Sequence, residues 1–209
     1  QALDNIGDAK NMLAVAEGGL QKINDIMIKM RDKATQAASD TLGDSEREAI
    51  QAQIDQFAAE IDDIVNSTKW NGKTLLDGLS NFSGNQVVFQ TGADNEASSQ
   101  ITLASSALGA NDTSSLGIDS LEVGTAASAQ AAMDDLSNAI SDVSTRLQNI
   151  GALVSRLNFR EETMTVAKVN TEAAYSRIMD ADMAWEQLEA TKYQILQQTA
   201  TAMLAQANT

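Results

Sequence analysis

The sequence contains no cysteine, histidine or proline, and aromatic residues make up only 4% of its 209 residues. Without histidine or cysteine the chain has no imidazole base, no thiolate nucleophile and none of the usual nitrogen and sulfur ligands for zinc. Its 14 basic residues face 29 acidic ones, which gives a formal net charge of −15. Such a surface repels phosphate backbones and anionic lipids, so the composition disfavours nucleic-acid binding. No apolar run approaches the roughly 20 residues of a membrane-spanning helix, which disfavours membrane insertion.

Apolar residues instead recur in alternating steps of three and four, the a/d pattern of helices that pack against partner helices along their length. The longest seam comprises Ile6, Ala9, Leu13, Ala16, Leu20, Ile23, Met27, Met30, Ala34 and Ala37. The others comprise Ile50, Ile54, Phe57, Ile61 and Ile64, and then Leu136, Ile140, Val143, Leu147, Ile150, Val154 and Leu157. These seams predict a mainly α fold, an elongated, rod-like antiparallel helical bundle with coiled-coil seams and a small β-hairpin region.

Turn and cap signals divide this rod into parts. A first helix is expected from about residue 3 to 42, with Gly43 as its stop, and a capping box of Ser45 and Glu48 opens a second helix. We therefore expect residues 1–66 to form the N-terminal helical part and residues 67–126 a small β and loop region. Residues 127–209 form the C-terminal helical part of the same domain, with a helix to about residue 178 and then a final helix, or a continuation of the first, from about residue 180 to 208.

The loop region carries the signals of short strands. Asn71 and Gly72 indicate a tight turn. Residues 86–90, 100–103 and 118–123 have the alternating, β-branched character of strands. Of the two tryptophans, Trp70 is expected to pack against the helix ends. For Trp185, packing within the chain is favoured over packing on a neighbouring subunit.

Nothing in the sequence indicates a catalytic, cofactor-binding or metal-binding residue. The acidic pairs at 62–63 and 134–135 are adjacent in helices, so their side chains point about 100° apart and suit a solvated face. Asp180-Ala181-Asp182 lacks the glycine and the distal glutamate of a calcium loop. We therefore expect a protein that is not an enzyme and that needs no cofactor, with a mechanical or associative role.

Several short segments match, in order, the motifs of a known protein family. Residues 176–184 (SRIMDADMA) are similar to the SRIxDADxA signature of flagellin C-terminal regions, and residues 14–24 (AVAEGGLQKIN) are similar to an N-terminal stretch of the family. Further matches, in the family's order, are residues 50–54 (IQAQI), 60–62 (EID), 70–78 (WNGKTLLDG), 194–198 (QILQQ) and 202–208 (AMLAQAN).

The resemblance implies a structural subunit of the bacterial flagellar filament, self-assembling into a helical tube for motility. It implies an extracellular location on the flagellum, reached by export without a cleaved signal peptide. The implied partners are other flagellin subunits in a homopolymer, hook-associated junction and cap proteins, and an export chaperone. By the same resemblance the chain is expected to be a D1 core fragment that lacks both terminal D0 segments and the large variable outer domains.

The family also implies an innate immune receptor as a ligand-binding partner. Residues 28–36 and Gln53 correspond to the segment and the glutamate through which such receptors recognise many flagellins. Lys29 and Arg31 keep the basic character of that segment, but Lys33 replaces a leucine and Gln53 replaces the carboxylate. Because a lysine ammonium must be desolvated where an apolar anchor would dock, weak binding is expected.

Two other functions remain open at this point. The first is an axial protein of the hook–filament junction, which shares the helical terminal regions but assembles in a few copies. The second is a secreted helical effector or translocator that inserts amphipathic helices into membranes, against which the acidic surface counts.

Overall fold

A computed structural model of the protein describes residues 1–208, and for residues 180–182 it describes the helical backbone only. The helices are α1 (Ala2–Ala37), α2 (Asp44–Ser67), the short α3 (Ser105–Leu108) and α4 (Ala126–Ala207). The strands are β1 (Lys69–Trp70), β2 (Lys73–Thr74), β3 (Gln86–Gln90) and β4 (Gln100–Ala104). The predicted mainly α fold with a small β region is confirmed. The chain divides into two compact units, Gln1–Glu161 and Glu162–Thr209.

Helix α1 buries the whole of its predicted seam, each of the ten residues being at most 1% exposed. The helix ends at Ala37, five residues before the predicted end, and Arg47 supplies hydrogen-bond donors to this end and to the turn that follows it. The Arg47 side chain donates from Nε to the carbonyl of Ala37 at 3.0 Å and from Nη2 to that of Ser39 at 2.9 Å. These bonds satisfy carbonyls that the end of a helix leaves without intrahelical partners.

The N-cap of helix α2 is Gly43, two residues before the predicted N-cap Ser45. The backbone N–H of Gly43 donates to Glu46 Oε2 at 2.6 Å, so Gly43 caps the start of α2 and does not stop α1. The helix folds back antiparallel on α1. Arg47 lies beside the end of α1, while a Cβ on Gly19 would lie 2.8 Å from Oγ1 of Thr68, which follows the end of α2.

The second predicted seam is buried in part. Ile50, Ile54 and Ile61 are buried, and Phe57 and Ile64 are half-buried. The buried stripe of α2 ends on Val65.

Two antiparallel hairpins follow α2. In the first, β1 pairs with β2 through Asn71 and Gly72, whose φ angles of 49° and 78° suit the tight turn that the sequence predicted. In the second, β3 pairs with β4, with Val88 opposite Thr102.

The prediction of a strand at residues 118–123 is wrong. This segment is irregular, and the Gln51 side chain takes the place of a neighbouring strand. Its Nε2 donates to the carbonyl of Leu121 at 2.8 Å and its Oε1 accepts from the N–H of Val123 at 2.8 Å. The buried side chains of Ile118, Leu121 and Val123 explain the alternating pattern without a strand.

Helix α4 is continuous, so the last segment is a continuation of the helix and not a separate one, the first of these being one of the two possibilities that the sequence left open. In the first half of α4, every second position of the buried stripe lies one residue before the predicted seam position. Ala139 and Leu153 are buried, whereas the predicted Ile140 and Val154 are half-buried. Leu136, Val143, Ile150 and Leu157 are buried as the seam predicts. The remaining members of the stripe are Ala129 and Ala132.

Arg146 occupies the position of this stripe where the predicted seam had Leu147, which is half-buried. The Arg146 guanidinium donates at 2.6 Å to the carbonyl of Ala110 and at 2.6 Å to Oδ1 of Asn111. Asn111 is fully buried, and its amide nitrogen donates to the carbonyls of Leu76, Leu108 and Gly109. The Arg146 and Asn111 side chains therefore fasten the loop before α4 to α4 itself.

Candidate assembly surface

The C-terminal unit carries many exposed apolar side chains. Among its described residues, only Met164 is half-buried and the rest are exposed. A helix of this composition is normally covered by other protein. The large exposed apolar residues of the unit are Val166, Val169, Tyr175, Ile178, Met179, Met183, Trp185, Leu188, Tyr193, Ile195, Leu196, Met203 and Leu204.

Helical spacing groups most of these residues into two stripes, since successive residues turn by about 100°. The first stripe consists of Ile178, Trp185, Leu188, Ile195, Leu196 and Met203. The second stripe consists of Tyr175, Met179, Met183, Tyr193 and Leu204. The centres of the two stripes lie roughly 130° apart around the helix by the same geometry. Two separate apolar faces give one helix the means to contact two different neighbours.

The first stripe contains a shallow apolar groove. Leu188, Thr191, Lys192, Ile195 and Leu196 line it, and its volume is about 410 Å³. Lys192 contributes the one basic group of the lining. The interpretation of Trp185 as packed within the chain is wrong, because the residue is 70% exposed. The side chains of residues 180–182, at the centre of the sequence signature, lie outside the described residues.

A second groove lies in the N-terminal unit beside the first turns of α1. It has a volume of about 380 Å³, and its walls include Met12, Trp70, Phe82 and Phe89. Trp70 is half-buried there, beside the helix, and the Nζ of Lys73 lies 4.7 Å from the centroid of the Phe82 ring.

In the segment that the family resemblance relates to receptor binding, residues 28–36, Met30 and Ala34 are fully buried in the α1 seam and the other side chains are exposed or half-buried. Lys29 and Gln53 are exposed, and Arg31 and Lys33 are half-buried. Because Arg47 of α2 lies beside the end of α1 and the helices are antiparallel, Gln53 lies at about the level of Arg31. The structure therefore brings Gln53 to the same level of the helix pair as the basic segment.

Two features of the acidic surface were missed by sequence reasoning or predicted differently. Asp62 is not simply solvated: its carboxylate accepts hydrogen bonds from the N–H of Thr113 at 2.9 Å and from its hydroxyl at 3.0 Å. Asp77 accepts hydrogen bonds from the side chains of Thr74, Ser80 and Asn81 through a single oxygen, Oδ2. The hydroxyl and amide side chains three or four residues on either side of Asp77 are the sequence signal that could have indicated the second cluster.

Acidic residues do not converge into a candidate metal site anywhere in the described part of the chain. The described helices also include none that is long and apolar enough to cross a membrane.

Comparison with known proteins identifies the two ends of the chain. Residues 1–81 match the family model of the bacterial flagellin N-terminal helical region, and residues 133–209 match that of the C-terminal helical region. The chain is 34% identical to Flagellin FlaB1 of Treponema pallidum over 218 aligned positions, which span all of this chain and 76% of that protein. The chain belongs to the flagellin family.

Solved structures agree with this assignment. The crystal structure of Bacillus cereus flagellin superimposes with a TM-score of 0.66 and 28% identity, over 82% of this chain and 94% of that one. A putative flagellar hook-associated protein from Vibrio parahaemolyticus has the same TM-score, 0.66, at 15% identity, over 83% of this chain and 88% of that one. At that identity the second likeness shows a shared fold alone.

This flagellin is therefore a structural subunit of the bacterial flagellar filament, and it polymerises with other flagellin subunits. The exposed stripes of its C-terminal unit are the surface that most needs a partner.

Proposed function

We propose that the two apolar stripes of the C-terminal unit are the main contacts between subunits in the filament. The observation that carries this proposal is the exposure of large apolar side chains along that unit, with Trp185 70% exposed and Leu188 64% exposed. A filament grows when contacts do not close on themselves. A helix with two apolar faces can bind one neighbour through each face, so each added subunit presents a free face to the next.

Assembly through these stripes gains free energy by removing apolar surface from water. Covering one leucine or isoleucine side chain contributes about 1.5–3 kcal/mol. Loss of a single contact of this kind therefore weakens binding roughly tenfold or more, at about 1.4 kcal/mol for each factor of ten.

The variants Leu188→Asp and Gln187→Asp test the role of the first stripe. Both introduce a carboxylate at neighbouring positions of the same helix, but Gln187 lies outside both stripes. We expect Leu188→Asp to raise the critical concentration for polymerisation at least about tenfold, since a charge buried without a partner is costly. Sedimentation and electron microscopy measure assembly, and circular dichroism checks that each variant remains helical. Equal assembly of both variants would exclude the first stripe as a subunit contact.

The same stripes are proposed as the contact for the other axial partners. Hook-associated junction and cap proteins would meet the same helical ends of the terminal subunits, and an export chaperone would cover the apolar stripes before assembly. This proposal rests on family resemblance and on the exposed stripes. Binding of a purified junction protein to the Leu188→Asp and Gln187→Asp variants tests it. We expect Leu188→Asp to weaken this binding and Gln187→Asp to leave it unchanged, and equal binding by both variants would contradict the proposal.

Innate receptor binding through residues 28–36 is proposed to be weak. Lys33 places an ammonium where the family has an apolar leucine, and Gln53 offers an amide in place of a carboxylate. Restoring both residues with Lys33→Leu and Gln53→Glu should raise affinity for the receptor ectodomain in surface plasmon resonance. Tight binding by the unchanged chain would refute this part of the proposal.

A further inference from the structure

One Asn-Gly pair and one Asp-Gly pair lie close together in this chain, and their surroundings differ. Asn71-Gly72 is the one Asn-Gly pair of the sequence, and Asp77-Gly78 is its one Asp-Gly pair. In both pairs the glycine has a positive φ angle, 78° at Gly72 and 76° at Gly78. Both pairs therefore combine a side-chain carbonyl carbon with a following backbone nitrogen that no Cβ shields.

Such pairs are subject to an internal reaction. The backbone nitrogen of the glycine, on losing its proton, attacks the side-chain carbonyl carbon Cγ of the preceding residue and forms a five-membered succinimide. From asparagine, the amide nitrogen leaves as ammonia. Water then opens the ring at either carbonyl, giving aspartate or isoaspartate. From aspartate the leaving group is water and the product of interest is isoaspartate.

We propose that Asn71 is a site of spontaneous deamidation in the folded protein, with the backbone nitrogen of Gly72 as the nucleophile. Asn71 and Gly72 are both exposed. Among the described residues the Asn71 side-chain amide has no hydrogen-bond partner, so it is free to rotate toward the Gly72 nitrogen. A Cβ placed on Gly72 would meet no atom within 4 Å, which shows open space around the turn for ring formation and for water.

Asp77 is held against the same reaction. Thr74, Ser80 and Asn81 all donate hydrogen bonds to its Oδ2, which fix the carboxylate in one orientation. Its backbone forms an antiparallel bridge with Ala110, and a Cβ on Gly78 would lie 3.5 Å from the Ala110 nitrogen. Burial raises the pKa of Asp77, but the Ser80 and Thr74 hydrogen bonds outweigh it and lower the pKa overall. At a given acidic pH the lowered pKa leaves a smaller fraction of protonated carboxyl, which is the form that the Gly78 nitrogen attacks with loss of water.

Deamidation of Asn71 changes both charge and backbone. One new carboxylate takes the formal charge of the chain from −15 to −16, that is −15 − 1. The isoaspartate product also adds a methylene to the main chain between β1 and β2. The pairing of Trp70 with Lys73 cannot keep its register around a lengthened turn. The reaction therefore alters the wall of the groove that Trp70 helps to form.

Peptide mapping of the folded chain after incubation in warm buffer tests this proposal, at mildly alkaline pH for Asn71 and at mildly acidic pH for Asp77, where part of the carboxyl is protonated and water can leave. Proteolysis and mass spectrometry follow the amide-to-acid mass change at residue 71, and fragmentation that distinguishes isoaspartate follows residues 71 and 77. A parallel sample in denaturant gives the rate for the unfolded chain at each pair. We expect steady conversion of Asn71 in the folded protein, and isoaspartate at residue 77 only in the denatured sample.

Two variants act as matched controls. Asn71→Gly keeps a Gly-Gly pair that suits the same turn but removes the reactive amide, so ammonia release from the folded protein should fall to the background. Thr74→Val combined with Ser80→Ala removes two of the donors to Asp77, so isoaspartate should appear at residue 77 in the folded variant.

The proposal is overturned if Asn71 keeps its amide in the folded chain while it converts in denaturant. Isoaspartate formation at residue 77 of the unchanged folded chain, at the rate seen for residue 71, would also overturn it.

Discussion

The two units of this flagellin use similar apolar residues to opposite effect. In the N-terminal unit the seam of α1 is buried by other elements of the same chain, and Leu20 is 0% exposed. In the C-terminal unit residues of the same kind remain in solvent, and Leu188 is 64% exposed. The apolar pattern alone does not distinguish the two cases. What differs is the number of elements available within the unit to cover it.

This difference separates folding from assembly. The N-terminal unit has α1, α2, the hairpins and the first half of α4 to form one core. The C-terminal unit consists of a single helix, which has no second element against which to pack. Because isolated helices are marginally stable in water, such a unit gains most from contacts made on assembly. Its apolar residues therefore contribute to polymer stability, whereas those of α1 contribute to the stability of the fold.

The paired variants Leu20→Ala and Leu188→Ala test this separation with one substitution type. Leu20→Ala should lower the free energy of unfolding by about 2–5 kcal/mol, because it leaves a cavity in the core. Leu188→Ala should change it by less than about 0.5 kcal/mol, as expected for an exposed position. Urea denaturation followed by circular dichroism measures both, at concentrations below those at which the chain polymerises. Similar losses in the two variants would contradict the assignment of Leu188 to assembly.

A smaller effect is expected at the polar anchor of the N-terminal unit. Arg146→Met removes the donor to the Ala110 carbonyl and to Asn111 Oδ1, and should cost about 1–3 kcal/mol of unfolding free energy because buried acceptors lose a partner. Arg156→Met, ten residues further along α4 at an exposed position, is the matched control and should be nearly neutral. Denaturation midpoints compare the two, and an equal cost would show that the Arg146 contacts are not specific.

The smallest effect depends on pH and concerns Asp77. Its pKa is lowered in the fold below the ordinary value of 3.8, so its ionised form stabilises the fold above that pH. This contribution is lost as the pH falls through the lowered pKa, because the folded carboxylate is then protonated too. Asp77→Asn should cost on the order of 1 kcal/mol near neutral pH, the net value of a hydrogen bond. The cost should diminish in denaturation measurements below about pH 4, and a cost that is independent of pH would exclude the carboxylate charge as its cause.

Local periodicity is enough to predict much of the N-terminal unit. The ten seam residues of α1 follow from spacing alone, because a long helix that is covered along one face needs an uninterrupted apolar stripe. The Asn71-Gly72 turn is equally predictable, since few residue pairs suit two successive positive φ angles. The family is predictable too, because the short motifs that resemble flagellin occur in the same order along the whole chain.

Contacts between residues distant in sequence account for the differences. The carbonyl at the end of α1 is satisfied by Arg47, ten residues beyond it, and backbone groups of the irregular segment at 118–123 are satisfied by Gln51. At one of the offset positions of the α4 stripe stands Arg146, a half-buried charged residue, where a hydrophobic pattern selects Leu147. The exposure of Trp185 could not be predicted from its spacing, because an apolar residue on a helix looks the same whether its partner lies in the same chain or in another.

The Gln51 contact also restricts which residues position 51 can accept. The Gln51 side chain donates to the carbonyl of Leu121 and accepts from the N–H of Val123. A residue at this position therefore needs both a donor and an acceptor at the same distance from its own backbone. Glutamate keeps the reach but cannot donate when ionised, lysine cannot accept, and asparagine is one methylene shorter. Among the twenty amino acids, glutamine alone meets both requirements at that length. A surface position on a helix, where most substitutions are tolerated, thus has the narrow substitution range of a residue in a protein interior.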